Sequence, residues 1–375
     1  MTIFTMKWNL ILYITQLYKI IVVSLNVESE SMFVINDNYY GDWTAWSECV
    51  LECTKYRSKH CKNADSRVCP VSMIKEITAC HDKVNCKQSN SVYHEKTLHN
   101  LPKNCGQTIN TQFLLNKIVG GRPADKSAWP WIVSYGFKSG KDFYFKCGAT
   151  LISENWAITA AHCINYENTI FTKNGGLNKI DDDKIFLRIG AYHKTKLTKE
   201  AYITFVSHIS IHPSYSNSEY YSNYDFALLK LKTAIKPNKN MTFPCIFADE
   251  NFQLPETSTC YALGWGKQDI KGSKVFDDRL QEVQLPLISY EACKLDYEGI
   301  YINYTIHVCA GTKNKDTCSG DSGGGLYCIH PATNRWVLYG IISFGTSEGC
   351  GEISGVYARV SSAIYWIQQT IKYSV

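Results

Sequence analysis

The 375-residue sequence is sparing with proline, which occurs 10 times, and it shows no internal repeat or low-complexity tract, so the chain is neither collagenous nor wholly disordered. Charge is thin as well: charged residues make up 19%, and the net charge of +5 is spread along the chain without a basic helix or arm. That excludes nucleic acid as the main partner. There is no CxxC pair among the 16 cysteines, which removes the common zinc and thiol-redox motifs. His208 and His212 lie four apart on one face of the β-branched stretch from Tyr202 to Ile211, too far apart to share one metal. No metal or cofactor is expected. After the N-terminal run, no apolar stretch approaches membrane-spanning length.

An even, high cysteine count without metal spacing points to paired disulfides in an oxidising compartment. The N-terminus agrees. Lys7 precedes an apolar run from Trp8 to Val23, and Val22 and Ser24 are small enough for processing after Ser24. Residues 1–24 therefore read as the signal peptide of a secreted protein. The alternative is a retained type II anchor, which Gln16, Lys19 and a run short of about 20 apolar residues disfavour. Either way the rest of the chain faces the outside.

Six cysteines (Cys49, Cys53, Cys61, Cys69, Cys80 and Cys86) crowd a short segment of low aliphatic content, followed by a polar, cysteine-free linker from Lys87 to Asn104. From Cys105 onward the other cysteines are scattered among β-type runs, namely Phe143 to Phe145, Ile185 to Ile189, Phe226 to Leu231 and Trp336 to Phe344, divided by polar turns. The large part is expected to be all-β. Only its end departs, where Ser361 and Ser362 are placed to cap a helix with Ile364, Ile367 and Ile371 on one face.

Three stretches hold the groups needed for nucleophilic catalysis: Ala160-Ala161-His162-Cys163, Asp225-Phe226-Ala227-Leu228-Leu229 and Gly320-Asp321-Ser322-Gly323-Gly324. A serine hydroxyl is a poor nucleophile unless a His takes its proton, and that His needs a carboxylate to fix its tautomer. Glycines around the serine let successive N–H groups converge on one point, as an oxyanion hole requires. The stretch from Gly320 to Gly324 also fits the nucleophile elbow of α/β-hydrolases. Chain order decides against that, because no Asp follows Ser322 and the only later His is His330, eight residues on.

With Ile118-Val119-Gly120-Gly121, Gly264-Trp265-Gly266, Ser343-Phe344-Gly345 and Gly355-Val356-Tyr357 added, residues 118–375 resemble a trypsin-like protease of the chymotrypsin family. The resemblance implies an all-β fold of two packed six-stranded antiparallel barrels with a C-terminal helix and the site in the cleft between them. It implies Ser322 as nucleophile, His162 as general base and then acid, Asp225 as orienting carboxylate, and the N–H groups of Gly320 and Ser322 as oxyanion hole. The residue six before the nucleophile floors the S1 pocket in the family; here it is Asp316, with Thr317, Ser343, Gly345 and Gly355 around it. A carboxylate in a poorly solvated slot is costly unless a cation arrives, so cleavage after Arg or Lys is expected. Phe344 and Gly325 stand where the family usually has Trp and Pro.

The resemblance also implies a zymogen. Cleavage after Lys117 would free the ammonium of Ile118 to pair with Asp321, so the expected partners are an activating trypsin-like protease, protein substrates with Arg or Lys at P1, and serpin- or Kunitz-type inhibitors. Family pairings join Cys147 to Cys163, Cys260 to Cys328, Cys293 to Cys309 and Cys318 to Cys350. Cys105 and Cys245 are left to tether the pro-segment. The N-terminal module, residues 40–87, resembles a thrombospondin type 1 repeat in Trp43-Thr44-Ala45-Trp46-Ser47-Glu48-Cys49, Cys53, Arg57, Lys59 and Cys61. That implies pairs Cys49–Cys80, Cys53–Cys86 and Cys61–Cys69, with Trp faces stacked on Arg and Lys. Lys55, Arg57, Lys59 and Lys62 either bind matrix or sulfated glycosaminoglycan, or serve stacking and solvation. A long loop between His162 and Gly190, with Asp181-Asp182-Asp183-Lys184, is expected to border the cleft and restrict substrates. The segment from Ala191 to Glu200, which carries calcium ligands in trypsins, has only one acidic residue and is not expected to hold the ion. Asn240 and Asn303 lie in N-x-T sequons and are glycosylation candidates after export. The alternative function is a catalytically silent adhesion or scaffold protein that keeps the protease fold.

Overall fold

The computed structural model describes residues 41–45, 54–60, 62, 73–79, 101–107, 122–126, 128–164, 176–180, 183–196, 198, 201–218, 222–235, 241–266, 277–312, 316–318, 320–346 and 351–374. The chain forms two units, residues 1–90 and 91–375. In the first, β1 (Thr54–His60) pairs antiparallel with β2 (Met73–Ala79), Arg57 opposite Glu76. The Trp43 ring lies between Arg57 and Lys59, with Arg57 Cζ at 4.8 Å and Lys59 Nζ at 4.7 Å from its centroid. Lys59 is buried with its ammonium over this ring, whereas Lys62 is exposed. Two of the four basic candidates therefore serve stacking. The module's six cysteines lie outside the described residues.

Among its described residues, the second unit is all-β with two α-helices. It runs β3 (Arg122–Pro123), β4 (Ile132–Ser139), β5 (Asp142–Leu151), β6 (Trp156–Thr159), β7 (Asn178–Lys179), β8 (Ile185–Ile189), β9 (Tyr202–Ile211), β10 (Ser216–Asn217), β11 (Ser222–Asn223) and β12 (Ala227–Leu231). After these come β13 (Cys260–Gly264), β14 (Gln281–Leu285), β15 (Leu287–Ile288), α1 (Tyr290–Asp296), β16 (His307–Ala310), β17 (Gly325–Ile329), β18 (Trp336–Phe344), β19 (Gly355–Arg359) and α2 (Ile364–Lys372). The first sheet has the order β12-β6-β5-β4-β8-β9-β7, and pairing of β12 with β9 closes six of its strands into a barrel. The second has the order β15-β16-β19-β18-β17-β13-β14-β3 and curls in the same barrel-like manner, with the two-residue strands β15 and β3 at its edges. Strands such as β8, β13 and β18 read as nearly continuous apolar runs because both faces are covered.

One apolar cluster bridges the two halves, and the second sheet also encloses a core of its own. Trp129 and Trp131, just before β4, pack on Tyr261, Tyr327 and Trp336 of the second sheet, with Trp129 and Trp336 centroids 4.7 Å apart. Thr150 of β5 and Tyr327 of β17 share a buried hydroxyl hydrogen bond of 2.6 Å. The helix α2 leaves the second sheet and returns to the first, setting Trp366 edge-on to His212 at 5.0 Å.

Two expectations about helices need correction. Ser361 and Ser362 do not cap α2. They lie in a 3-10 turn, Val360–Ala363, the cap position falls to Ala363 with no side-chain bond, and Ser362 Oγ instead donates to Arg359 O. Nor is the end the only helical part: α1 follows Ser289, whose hydroxyl accepts from the N–H of Ala292 and caps the helix. The described cysteines form four complete bridges, Cys105–Cys245, Cys147–Cys163, Cys260–Cys328 and Cys293–Cys309. Cys318 is also disulfide-bonded, and Cys350 lies outside the described residues. No helix among the described residues is long and apolar enough to cross a membrane.

Candidate active site

His162 sits in the 3-10 turn Ala161–Ile164 that follows β6, and Asp225 enters from the segment between β11 and β12. Tyr224 adopts φ +47°, with its ring stacked on His212 at 4.6 Å, and this turn directs Asp225 inward. Asp225 is fully buried, so its oxygens need donors. It has three: the N–H of His162 to Oδ1 at 2.9 Å, Nδ1 of His162 on Oδ2 at 2.7 Å, and Ser343 Oγ on Oδ2 at 2.6 Å. With Nδ1 donating to the carboxylate, Nε2 of neutral His162 is left as the basic nitrogen. Ser343, expected in the S1 wall, thus also buttresses the carboxylate.

Ser322 is tied to the turn that carries His162 through backbone and disulfide. Its carbonyl accepts from Gly148 N–H at 2.8 Å, the neighbouring Cys147 is bonded to Cys163, and Cys163 adjoins His162. The turn carrying Ser322 closes through Asp321 N–H to Cys318 O and Gly324 N–H to Asp321 O, both 2.9 Å. Gly320 adopts φ +104°, a conformation a side chain would strain, and it turns the backbone ahead of Ser322. Asp321 points away from the cleft. Its Oδ1 accepts from Gly266 N–H at 2.7 Å and its Oδ2 from Cys318 N–H at 2.9 Å. Burial pushes its carboxyl up, and the two amides and the Lys194 ammonium oppose that rise. Ile118 and Lys117 lie outside the described residues.

Asp316 lies against Gly355, where an added Cβ would come 2.6 Å from its Oδ1. Partial burial pushes its carboxyl up to about 6, despite amide donors at Thr317 (2.7 Å) and Gly351 (3.4 Å), and the nearby Asp321 adds to the rise. Thr317 Oγ1 is 3.4 Å from the hydroxyl of buried Tyr357. At Gly345 an added Cβ would meet nothing within 4 Å. A cleft of about 280 Å³ is lined by His162, Ser222, Ile300, Ser343, Phe344 and Gly345 among others. A larger hollow of about 440 Å³, between Tyr202–Phe205 and Lys232–Ile235, contains none of the site residues.

Sulfur and imidazole atoms of Cys147, His162 and Cys163 lie within 4.8 Å of one another, but the two sulfurs are joined in a disulfide and offer no thiolate. The segment after Gly190 is organised by the protein's own charges. Arg188 Nη1 donates to Lys194 O at 2.6 Å, and Asp278 accepts from Thr195 N–H at 2.8 Å and Thr195 Oγ1 at 3.0 Å. Of the long loop, residues 165–175 and 181–182 lie outside the described residues, and Asp183 pairs with Lys232 at 2.7 Å. His212 is buried, and burial lowers its pKa to about 3. Sequence motifs did not single out Ser222, Ile300 or His307, which shape the cleft wall from segments without a recurring pattern.

Two barrel-like sheets, a buried Asp225–His162 pair and a glycine-bounded Ser322 are the parts of a serine hydrolase. Residues 118–367 match the family model described as Trypsin. Over 259 residues the chain is 32% identical to chymotrypsin-like elastase family member 1 of Homo sapiens, covering 68% of this chain and 92% of that protein. The Rattus norvegicus protein of the same name is 32% identical over 262 residues, covering 69% of this chain and 91% of its own length. Ovochymase of Halocynthia roretzi is 32% identical over 269 residues, 71% of this chain but only 16% of that protein. The chain belongs to the trypsin family of serine proteases.

Proposed function

We propose that the chain is an exported endopeptidase zymogen that, once cut after Lys117, hydrolyses peptide bonds following Arg or Lys. Ser322 Oγ attacks the scissile carbonyl carbon while His162 Nε2 takes its proton, and the oxyanion is held by the N–H groups of Gly320 and Ser322. The C–N bond then breaks, the leaving amine takes the proton from His162, and water, deprotonated by the same nitrogen, releases the acyl group and restores Ser322. Asp225 holds the imidazole in the needed tautomer. The observation that carries the specificity is Asp316, a partly desolvated carboxylate pressed against Gly355. An arriving guanidinium or ammonium relieves that desolvation, whereas a small apolar side chain leaves it in place. The relatives named elastases therefore lend their fold and chemistry to this reading but not their P1 preference.

The freed ammonium of Ile118 would pair with Asp321, and an unpaired charge there costs about 3–5 kcal/mol, enough to keep the uncut chain inactive. The tether Cys105–Cys245 keeps the N-terminal piece on the enzyme after cleavage. The stacked Trp43, Arg57 and Lys59 support a thrombospondin type 1-like module as that piece. The test is direct: express the oxidised chain without residues 1–24, cleave it with a trace of trypsin, sequence the new N-terminus, and assay amides with Arg, Lys, Ala or Phe at P1 beside a Ser322→Ala control. Hydrolysis of Arg and Lys substrates alone, only after Ile118 is freed, is expected. Correctly cut, folded protein that hydrolyses none of them would favour the catalytically silent scaffold, and an Ala preference would overturn the role of Asp316.

A further inference from the structure

The segment from Tyr301 to Thr305 has a geometry suited to carrying a sugar. Asn303 Oδ1 accepts from both the N–H (2.9 Å) and Oγ1 (2.8 Å) of Thr305, and its Nδ2 donates to the hydroxyl of Tyr301 at 2.9 Å. Tyr301, two residues before the asparagine, is 51% exposed and stands beside the amide that would be modified. The turn is rigidly seated. Ile302 and Ile306 are buried, and His307 N–H donates to Asn303 O at 2.8 Å. It also borders the substrate cleft: Ile300 lines that cleft, and three residues place Asn303 within about 11 Å of it. His307 links the two directly. Its Nδ1 accepts from Asn303 N–H at 3.2 Å while its Nε2 donates to the carbonyl of Ser222, another cleft residue, at 2.8 Å.

We infer that this turn seats an N-linked glycan at the cleft rim, with the first N-acetylglucosamine packed on the Tyr301 ring and the outer sugars limiting which folded proteins can approach. The inference rests on the export reading above. In the attachment step Nδ2 of Asn303 displaces a lipid diphosphate from C1 of the donor sugar. One N–C bond forms, one C–O bond breaks, Nδ2 loses one proton, and its second N–H remains. The apolar C–H face of the pyranose and an exposed aromatic ring each lose water-accessible area when they stack, which stabilises the folded turn. Outer sugars reach past Ile300, so they obstruct bulky substrates and leave a small amide unhindered.

The full chain secreted from eukaryotic cells tests this, with peptide mapping by mass and three variants: Tyr301→Ala, Tyr301→Phe and Thr305→Ala. Modification of the Asn303 peptide is expected, absent in Thr305→Ala. Trimming to one sugar should leave Tm unchanged, and complete removal should lower it by about 2–4 °C in the native and Tyr301→Phe proteins but not in Tyr301→Ala. Trimming alone should raise cleavage of a folded protein substrate at least about threefold with the small-amide rate unchanged. A secreted, active enzyme with Asn240 modified and Asn303 bare overturns the inference while leaving export intact. So does a sugar-dependent Tm that survives Tyr301→Ala, or trimming that moves both substrates equally. A chain retained in cells with both sequons bare overturns the export reading and this inference together.

Discussion

Replacing Asp316 with Asn should make the protein more stable and nearly inactive on its expected substrates. Burial raises the carboxyl from 3.8 to about 6, so the folded protein holds that proton more tightly than the unfolded chain does. Stability therefore falls as pH rises from about 4 to about 6 and is level above that. At about 1.4 kcal/mol per tenfold in acidity, the ionised group costs the folded state about 3 kcal/mol at neutral pH. Asn keeps an acceptor for the Thr317 amide and carries no charge. Asp316→Asn, compared in a Ser322→Ala background to prevent self-cleavage, should gain about 3 kcal/mol, or about 6–12 °C in Tm, at pH 8 and almost nothing at pH 3.5. Catalysis should move the other way. A P1 guanidinium buried without its counter-charge loses about 2–5 kcal/mol, which lowers kcat/KM on an Arg amide between about 30-fold and several thousandfold. Thermal melts across pH and initial rates on Arg and Ala amides measure both effects. A pH-independent stability change, or Arg hydrolysis retained within about tenfold, would refute the placement of a desolvated carboxylate at the pocket floor.

Ser343→Ala removes a 2.6 Å donor from buried Asp225, so kcat should drop about 10- to 100-fold with KM little changed, because a bond to a charged group is worth about 1.5–3 kcal/mol. Steady-state kinetics would show it, and an unchanged kcat would remove Ser343 from the carboxylate's support. An added Cβ at Gly264 would come 1.9 Å from Asp321 Oδ1, so Gly264→Ala should expel that carboxylate and abolish the active-site titration burst even after correct cleavage. On a gel after cleavage behind Lys117, the two pieces should migrate together without reductant and separate with it, and Cys105→Ser should separate them in both lanes.

The family and its β architecture were legible in the sequence. The stretches around His162, Asp225 and Ser322 stood out because each has neighbours constrained by backbone geometry, and the structure joins two of them in the His162–Asp225 bond. The runs at Ile185 to Ile189 and Trp336 to Phe344 became strands with little ambiguity, since burial on both faces leaves few residue choices. α1 was hidden because its seven residues are too short to show a helical period, and only Ser289 marks its start. The cap of α2 was misjudged because a 3-10 turn precedes the helix and Ser362 bonds back within it to Arg359 O. The cleft wall was least visible: Ser222 is held by His307, a buried imidazole whose pKa falls to about 4 on burial, and no spacing rule links positions so far apart in the chain.

The ring cluster that joins the barrels has a thermodynamic consequence. Trp129 and Trp131 belong to the first barrel's entry, yet their partners Tyr261, Tyr327 and Trp336 belong to the second, and α2 clasps the first barrel after leaving the second. Neither half can open without stripping apolar surface from the other, so the two should melt as a single cooperative unit despite their separate sheets. His162 and Asp225 stand on one half and Ser322 on the other, so loss of that unit separates Ser322 from the His162–Asp225 pair in the same event. A population with one barrel unfolded and the other intact is therefore suppressed, and half-open chains, the form most easily cut by a neighbouring protease, stay scarce.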